Sequence, residues 1–243
     1  MNRDVVLFRD TFTEHHEPEI GIAAMDVLEA AGARVTSVPY ICCGRPLISQ
    51  GLLAAARNLA ATNADRLFDV ASRGSAILFL EPSCLSAMRE DAPALLRGDR
   101  QSKARAVAGV SLLFEEYLER ELAAERLTLS LKSGPSSVLL HAHCHQRAMG
   151  LAPAARALLS RIPGATVSDL DAGCCGMAGS FGYTREHYDL SRAIGELKLF
   201  PAARAVSAGG ILAAAGTSCR HQVAHFTTTR AQHPAILLRS LLV

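Results

Sequence analysis

The sequence contains no tryptophan, and aromatic residues fill only 5% of its 243 positions. Its core must therefore be aliphatic. No sign of charge dominates: 25 Lys and Arg stand against 23 Asp and Glu, a formal net charge of +2. Nucleic acid as a partner would call for a concentrated basic face, which this balance does not offer. Long hydrophobic runs are missing as well. Stretches such as Gly209–Gly216 fall far short of the roughly 18 to 20 apolar residues that span a bilayer, so no transmembrane segment is expected. Met1–Asp10 carries two Arg and two Asp and does not read as a signal peptide. With 49% hydrophobic and 20% charged residues, the chain has the material for a folded core. At roughly 150 residues per domain, the length suits one large domain or two small lobes.

Cysteine is what the sequence does hold, seven in all. The odd count and the lack of a secretory signal place the chain in a reducing, cytoplasmic compartment, where structural disulfides are rare. Four of the seven form two adjacent pairs, Cys42-Cys43 and Cys174-Cys175, each followed by Gly. A buried free cysteine is ordinarily a small hydrophobe. That reading does not explain two doublets, whereas soft thiolates grouped in this way suit a metal or a cluster.

The chain reads as one pattern written twice. In the first half, Asp4–Phe8 reads as a buried strand. A helix over Pro18–Ala31 has Pro18 at its first position and Ile20, Ala24, Val27 and Ala31 on one face, and Gly32 ends it. A strand over Arg34–Val38 leads to Cys42-Cys43-Gly44. A long helix over Ser49–Ser72 places Leu52, Ala56, Leu59 and Leu67 on one side, and a strand over Ala76–Leu80 runs into Glu81-Pro82-Ser83-Cys84. In the second half, Val138–Leu140 leads to His141-Ala142-His143-Cys144-His145. A helix over Pro153–Arg161 and a strand over Thr166–Leu170 lead to Gly173-Cys174-Cys175-Gly176. A helix over Glu186–Leu199 turns Leu190, Ile194 and Leu197 inward, and a strand over Gly210–Ala214 runs into Gly216-Thr217-Ser218-Cys219. An amphipathic helix over Ser102–Leu122 connects the halves, and Ser130–Ser137, with Gly134 and Pro135, is the linker.

Strands alternating with helices imply parallel sheets. The expected fold is α/β: two Rossmann-like βαβ lobes, 1–128 and 129–243, related by internal duplication. The cysteines all follow strands, where open α/β sheets bind ligands. They are expected at the strand C-terminal ends, in a cleft between the lobes, facing helix N-termini that favour thiolate.

Cys144, Cys174, Cys175 and Cys219 come from the ends of three successive strands and are expected to converge. Four thiolates suit tetrahedral zinc or an iron–sulfur cluster. Adjacent cysteines fit a multi-iron cluster better than a single ion, because their Cβ atoms diverge. Setting Val5 against Val138 places Thr11 opposite Cys144. Cys42, Cys43 and Cys84 then match Cys174, Cys175 and Cys219, and each third cysteine follows a Ser. The first lobe thus has three of four ligands. It is either empty and degenerate or a metal site completed by His15 or His16. Glycines 173, 176, 179 and 182 read as backbone wrapped closely around a cluster, with N–H groups aimed at sulfur. In an extended segment His141, His143 and His145 would lie on one side and Cys144 on the other. Glu81 reads as a solvated loop carboxylate.

These motifs resemble the duplicated cysteine-rich CCG domain. That domain occurs in heterodisulfide reductase and in the iron–sulfur subunits of glycolate oxidase, lactate-utilisation enzymes and anaerobic glycerol-3-phosphate dehydrogenase. The resemblance covers nearly the whole chain. Its most specific part, His141–Gln146 with Gly173–Gly182, is similar to the C-terminal region of fused proteins that also carry an FAD-linked oxidase domain and ferredoxin-type clusters. The fullest pattern closes on Cys-x-x-Cys; here the earlier position of that pair is Glu81 in one half and Gly216 in the other. The resemblance implies an oxidoreductase component that carries an iron–sulfur cluster, of the 4Fe–4S type, on Cys144, Cys174, Cys175 and Cys219. Electrons would pass from a flavin-linked 2-hydroxyacid or glycerol-3-phosphate dehydrogenase toward quinone or another acceptor. FAD would sit on a partner chain or domain, beside a ferredoxin-type iron–sulfur subunit, and any membrane association would be peripheral. Two other readings stay open: a zinc-binding structural or assembly module, and a thiol–disulfide reductase like heterodisulfide reductase.

Overall fold

A computed structural model describes residues 4–243. The chain divides into two compact units, Met1–Thr128 and Leu129–Val243. The first is built in the order β1 (Asp4–Leu7), α1 (Thr11–His15), α2 (Pro18–Ala30), β2 (Arg34–Ser37), α3 (Arg45–Ser49), α4 (Leu53–Ser72), β3 (Ala76–Phe79) and α5 (Pro82–Ser86). A π-helical turn and α6 (Ala92–Leu95) follow, then α7 (Gly98–Val110), β4 (Ser111–Leu113) and α8 (Phe114–Ala123). Its strands pair in parallel, in the order β2-β1-β3-β4. Val5–Leu7 and Ile77–Phe79 are buried on both faces, as expected where helices cover a parallel sheet. Pro18 opens α2, whose Ile20, Ala24 and Val27 pack inward, and Gly32 leaves the helix at φ +93°.

The second unit runs β5 (Ser137–Leu140), α9 (Cys144–Ala148), α10 (Ala152–Leu159), β6 (Thr166–Asp169) and two 3₁₀ turns. Then come α11 (Tyr188–Glu196), α12 (Leu199–Arg204), β7 (Gly210–Ala213), α13 (Thr217–Phe226) and α14 (Pro234–Ser240). Its sheet is also parallel, in the order β6-β5-β7. Leaving out β4, the first unit has the same strand order, with the first strand of the unit in the centre. The fold is α/β, with two parallel sheets of matching topology.

Three segments depart from the pattern reading. The single helix expected over Ser102–Leu122 is two helices separated by β4, which pairs with β3 in the register Leu78↔Leu112. Ser111-Leu112-Leu113 has neither β-branching nor alternation, so only its pairing with β3 makes it a strand. The helix expected over Ser49–Ser72 is broken at Gly51, whose φ is +73°, and Leu52 is exposed rather than inward. On α11 and at its C-cap the apolar side faces out: Leu190 is 54% and Leu197 77% exposed, while Ser191 and Gly195 are buried. The cause is close packing. A Cβ on Gly195 would lie 2.1 Å from the Phe200 ring, so the small-residue face is the one that fits the core.

Candidate functional site

Each doublet forms the same turn at the C-terminal end of an edge strand. Gly44 and Gly176 adopt φ of +91° and +94°, a left-handed conformation costly to other residues. That conformation turns the glycine N–H back onto the first sulfur: Gly44 N to Cys42 Sγ is 3.4 Å, and Gly176 N to Cys174 Sγ is 3.3 Å. The next N–H, of Arg45 or Met177, bonds the second sulfur. In both turns the first cysteine is half-buried and the second buried. Backbone N–H groups aimed at sulfur are thus local geometry written by Cys-Cys-Gly.

In the second unit Cys219 enters from the first turn of α13, and Arg220 straps that turn to the carbonyls of Ala214 and Ala215. Cys175 and Cys219 lie within an apolar cluster that includes Met177, Phe200, Leu212 and Val223. Cys174, Cys175 and Cys219 form a chain of thiol contacts. The contact with Cys175 and burial push the Cys174 thiol well above its ordinary range. Cys175 is also raised: its bond with Cys174 works the other way, but contact with Cys219 and burial outweigh it. The expected thiolate-favouring field is therefore overridden by crowding of one thiol on another. A cation at the sulfurs would compensate, since a metal deprotonates the thiols it binds. Cys144 is set apart. It is the first residue of α9 and exposed, with Sγ 3.8 Å from His143 Nδ1; His143 Nε2 is 3.4 Å from the Oγ of Ser218, the neighbour of Cys219. Among the described residues, no three His, Cys, Asp or Glu side chains form a ready-made site for one metal ion.

The first unit holds a different version. Cys43 and Cys84 sulfurs are 2.9 Å apart, and Cys42 bonds both Cys43 and Thr11. Thr11 thus occupies the corner that the duplication assigned to it, and its Oγ1 lies 3.1 Å from Tyr40 Oη. The His15 ring meets Tyr40 edge-on at 5.0 Å; His15 and His16 are both exposed. Glu81 is not a solvated carboxylate: it is buried and accepts from Ser83 N at 3.2 Å, capping α5. Burial and the nearby Glu81 raise Asp10 to about 6. The Cys84 thiol rises to about 11: its bond with Cys43 favours thiolate, but burial and the charges of Asp10 and Glu81 prevail.

The two units exchange residues as sets. Asp10 caps α1 just as His143 caps α9. Opposite Asp10 stands Glu81; the counterpart of Glu81 is Gly216, where a Cβ would lie 2.2 Å from the His143 ring. The first unit therefore sets two acids beside its cysteines, the second an imidazole and the space to hold it. The three histidines do not share one side of an extended segment. His141 is fully buried at the end of β5, His143 is the cap, and His145 lies in α9 with its ring 5.5 Å from that of His143.

Amides that motif reading overlooked hold both turns. Asn63 on α4 donates to Cys42 O at 2.9 Å. Gln222 on α13 donates to Cys175 O at 3.1 Å and to Ser191 Oγ at 2.7 Å. Gln222 follows Cys219 by three residues on one helix, a spacing visible in the sequence; Asn63 carries no such signal. Both ring nitrogens of His141 and Nε2 of Gln146 are buried without a hydrogen-bond partner among the described residues. Each unmade bond of this kind costs about 1–3 kcal/mol. An unspent donor on His141, near enough to Cys174 to feel its charge, fits an anionic, sulfur-rich group.

The sequence match agrees with this geometry. The family model for the cysteine-rich CCG domain matches twice, over residues 9–89 and 138–224. The chain belongs to the CCG cysteine-rich domain family. Each copy spans one turn and its later cysteine, and the second also includes Cys144. The chain is 32% identical over 242 residues to a subunit of the anaerobic glycerol-3-phosphate dehydrogenase of Escherichia coli, covering 98% of this chain and 59% of that one. It is 29% identical to the D-2-hydroxyglutarate dehydrogenase of Pseudomonas putida, over 96% of this chain and 22% of the relative. It is 28% identical to lactate utilization protein A of Bacillus cereus, over 73% of each. The first two relatives are thus considerably longer than the region they share with this CCG chain. No helix among the described residues is long and apolar enough to cross a membrane.

Proposed function

We propose that the chain is the iron–sulfur electron-transfer part of a flavin-linked dehydrogenase that oxidises glycerol-3-phosphate or a 2-hydroxyacid. Cys174, Cys175, Cys219 and Cys144 would hold the cluster, of the 4Fe–4S type. The bound group supplies a one-electron relay. The protein excludes water through the apolar cluster around Cys175 and Cys219 and directs backbone N–H groups at the sulfurs. The chain of three thiols, Cys174, Cys175 and Cys219, at the end of one sheet is the observation that carries the reading. Relatives named for glycerol-3-phosphate and D-2-hydroxyglutarate dehydrogenases supply the substrate classes. The flavin belongs to a partner chain or domain, and quinone or another carrier accepts the electrons. The lobe boundary falls at 128/129, and the first lobe, with Thr11 at its fourth corner, is a secondary site or a docking element. The test is the visible spectrum of anaerobically purified protein. A broad absorption that bleaches with reduced flavin is expected; a colourless protein containing stoichiometric zinc would replace this reading with the structural one.

A further inference from the structure

The two CCG units differ most sharply behind their fourth corner. In the register that sets Val5 against Val138, His141 takes the place of Phe8, and Gln146 that of Thr13. Phe8 is fully buried and stacks on Phe79 at 4.5 Å. Thr13 is satisfied by Asp10, through its carbonyl at 3.2 Å and its carboxylate at 3.0 Å. The first unit therefore fills these positions with a dry ring stack and a closed hydrogen-bond pair. In the second unit, matching Cys84 to Cys219 puts Ala214 where Phe79 stands, so that position supplies no ring to stack on the imidazole. His141 and Gln146 are both fully buried, and three of their nitrogens find no partner among the described residues. His141 lies close enough to Cys174 to feel its charge. A polar ring in place of a stacked phenyl has no packing advantage. It serves only if something bonds to it.

We propose that His141, joined by the Gln146 amide, donates N–H hydrogen bonds to the sulfur of the group held by Cys144, Cys174, Cys175 and Cys219, and so sets its reduction potential. Hydrogen bonds to cluster sulfur favour the reduced, more negative state and raise the potential. Burial keeps the imidazole neutral, which leaves it one donor nitrogen. The first unit, with phenylalanine at that position, has no such donor. The inference rests on the reading of the second unit as a cluster site.

The test uses the whole chain, reconstituted anaerobically with iron and sulfide, in three forms: wild type, His141→Phe and His141→Gln. In His141→Phe the cluster should still load. Its ratio of reduced to oxidised form at a fixed solution potential should fall about tenfold, a drop of about 59 mV for a one-electron couple. His141→Gln, which keeps an N–H donor, should lie nearer the wild type. A second measurement guards against a variant that fails to fold. In wild-type protein labelled with ¹⁵N-histidine, pulsed EPR of the reduced cluster should show a weak ¹⁵N coupling, as from a hydrogen-bonded and not a ligating nitrogen. A loaded cluster with an unshifted potential in His141→Phe overturns the proposal and leaves the cluster reading intact. So does a wild-type spectrum without ¹⁵N coupling, or with the strong coupling of a direct ligand. A wild-type chain that takes up no iron removes the cluster reading, and this proposal with it.

Discussion

Gly44 and Gly176 occupy the same position of the same turn, at φ +91° and +94°, yet their surroundings differ. Alanine at either must adopt a left-handed backbone, which costs about 1–2 kcal/mol. At Gly44 that is nearly the whole cost, because the nearest atom to a new Cβ is Leu59 Cδ2 at 3.7 Å. At Gly176 the Cβ would sit 2.1 Å from Ser191 O and 3.2 Å from Gln222 Nε2. Relief requires the α11 backbone to retreat by about 1 Å, which adds about 1–3 kcal/mol of overpacking. The same shift disturbs the Gln222 bonds to Ser191 and Cys175, worth about 1 kcal/mol each. Gly44→Ala should therefore cost about 1–2 kcal/mol and Gly176→Ala about 4–7 kcal/mol. Urea titration of the reduced, metal-free chain, followed by circular dichroism, measures both. Equal losses, or a larger loss at Gly44, would show that the close approach of α11 to the second turn is wrong.

Other expectations follow from the packing. Leu190→Ser and Leu197→Ser should each change stability by less than about 0.5 kcal/mol, whereas Phe200→Ala in the same unit should cost about 3–5 kcal/mol by the same titration. Glu121 is held below the usual carboxylate range, first by its bond to Arg126 at 2.6 Å and then by Arg120. Because its folded pKa is depressed, its stabilisation is present above the unfolded value of about 4.3 and is lost as pH falls through the folded value. Glu121→Gln should thus cost about 0.5–1 kcal/mol at pH 7 and almost nothing near pH 3, in paired denaturation curves. Thr11→Cys sets a fourth thiol beside Cys42 and should raise the metal bound per chain, measured by elemental analysis.

Much of this architecture can be read in the residues. Short apolar runs mark β1, β3 and β5, and the glycines at 32, 44 and 176 mark turns because only left-handed backbone fits there. The doublets mark the candidate sites, since Cys-Cys-Gly turns the glycine N–H onto the first sulfur within three residues. What escapes sequence reading depends on distant partners. β4 is a strand only because β3 lies beside it. Leu190 and Leu197 face outward because Gly195 must meet Phe200, a contact no helical periodicity encodes. The burial of Glu81 and Asp10 together, and the exchange of that pair for His143 and Gly216, appear only when the ends of β1 and β3 are seen side by side. Cys144 shares the motif with the other three cysteines but, at the first position of α9, is exposed, whereas Cys219 in the first turn of α13 is buried.

In the proposed function the second unit carries the cluster. Its most direct test is iron and acid-labile sulfide per chain after anaerobic reconstitution of wild type, Cys175→Ser and Cys42→Ser. A cluster in the second unit would give about four of each in the wild type, as one 4Fe–4S cluster requires. It would lose nearly all of both in Cys175→Ser and keep near-normal content in Cys42→Ser. Zinc without sulfide in the wild type, or equal loss from the two variants, would contradict it.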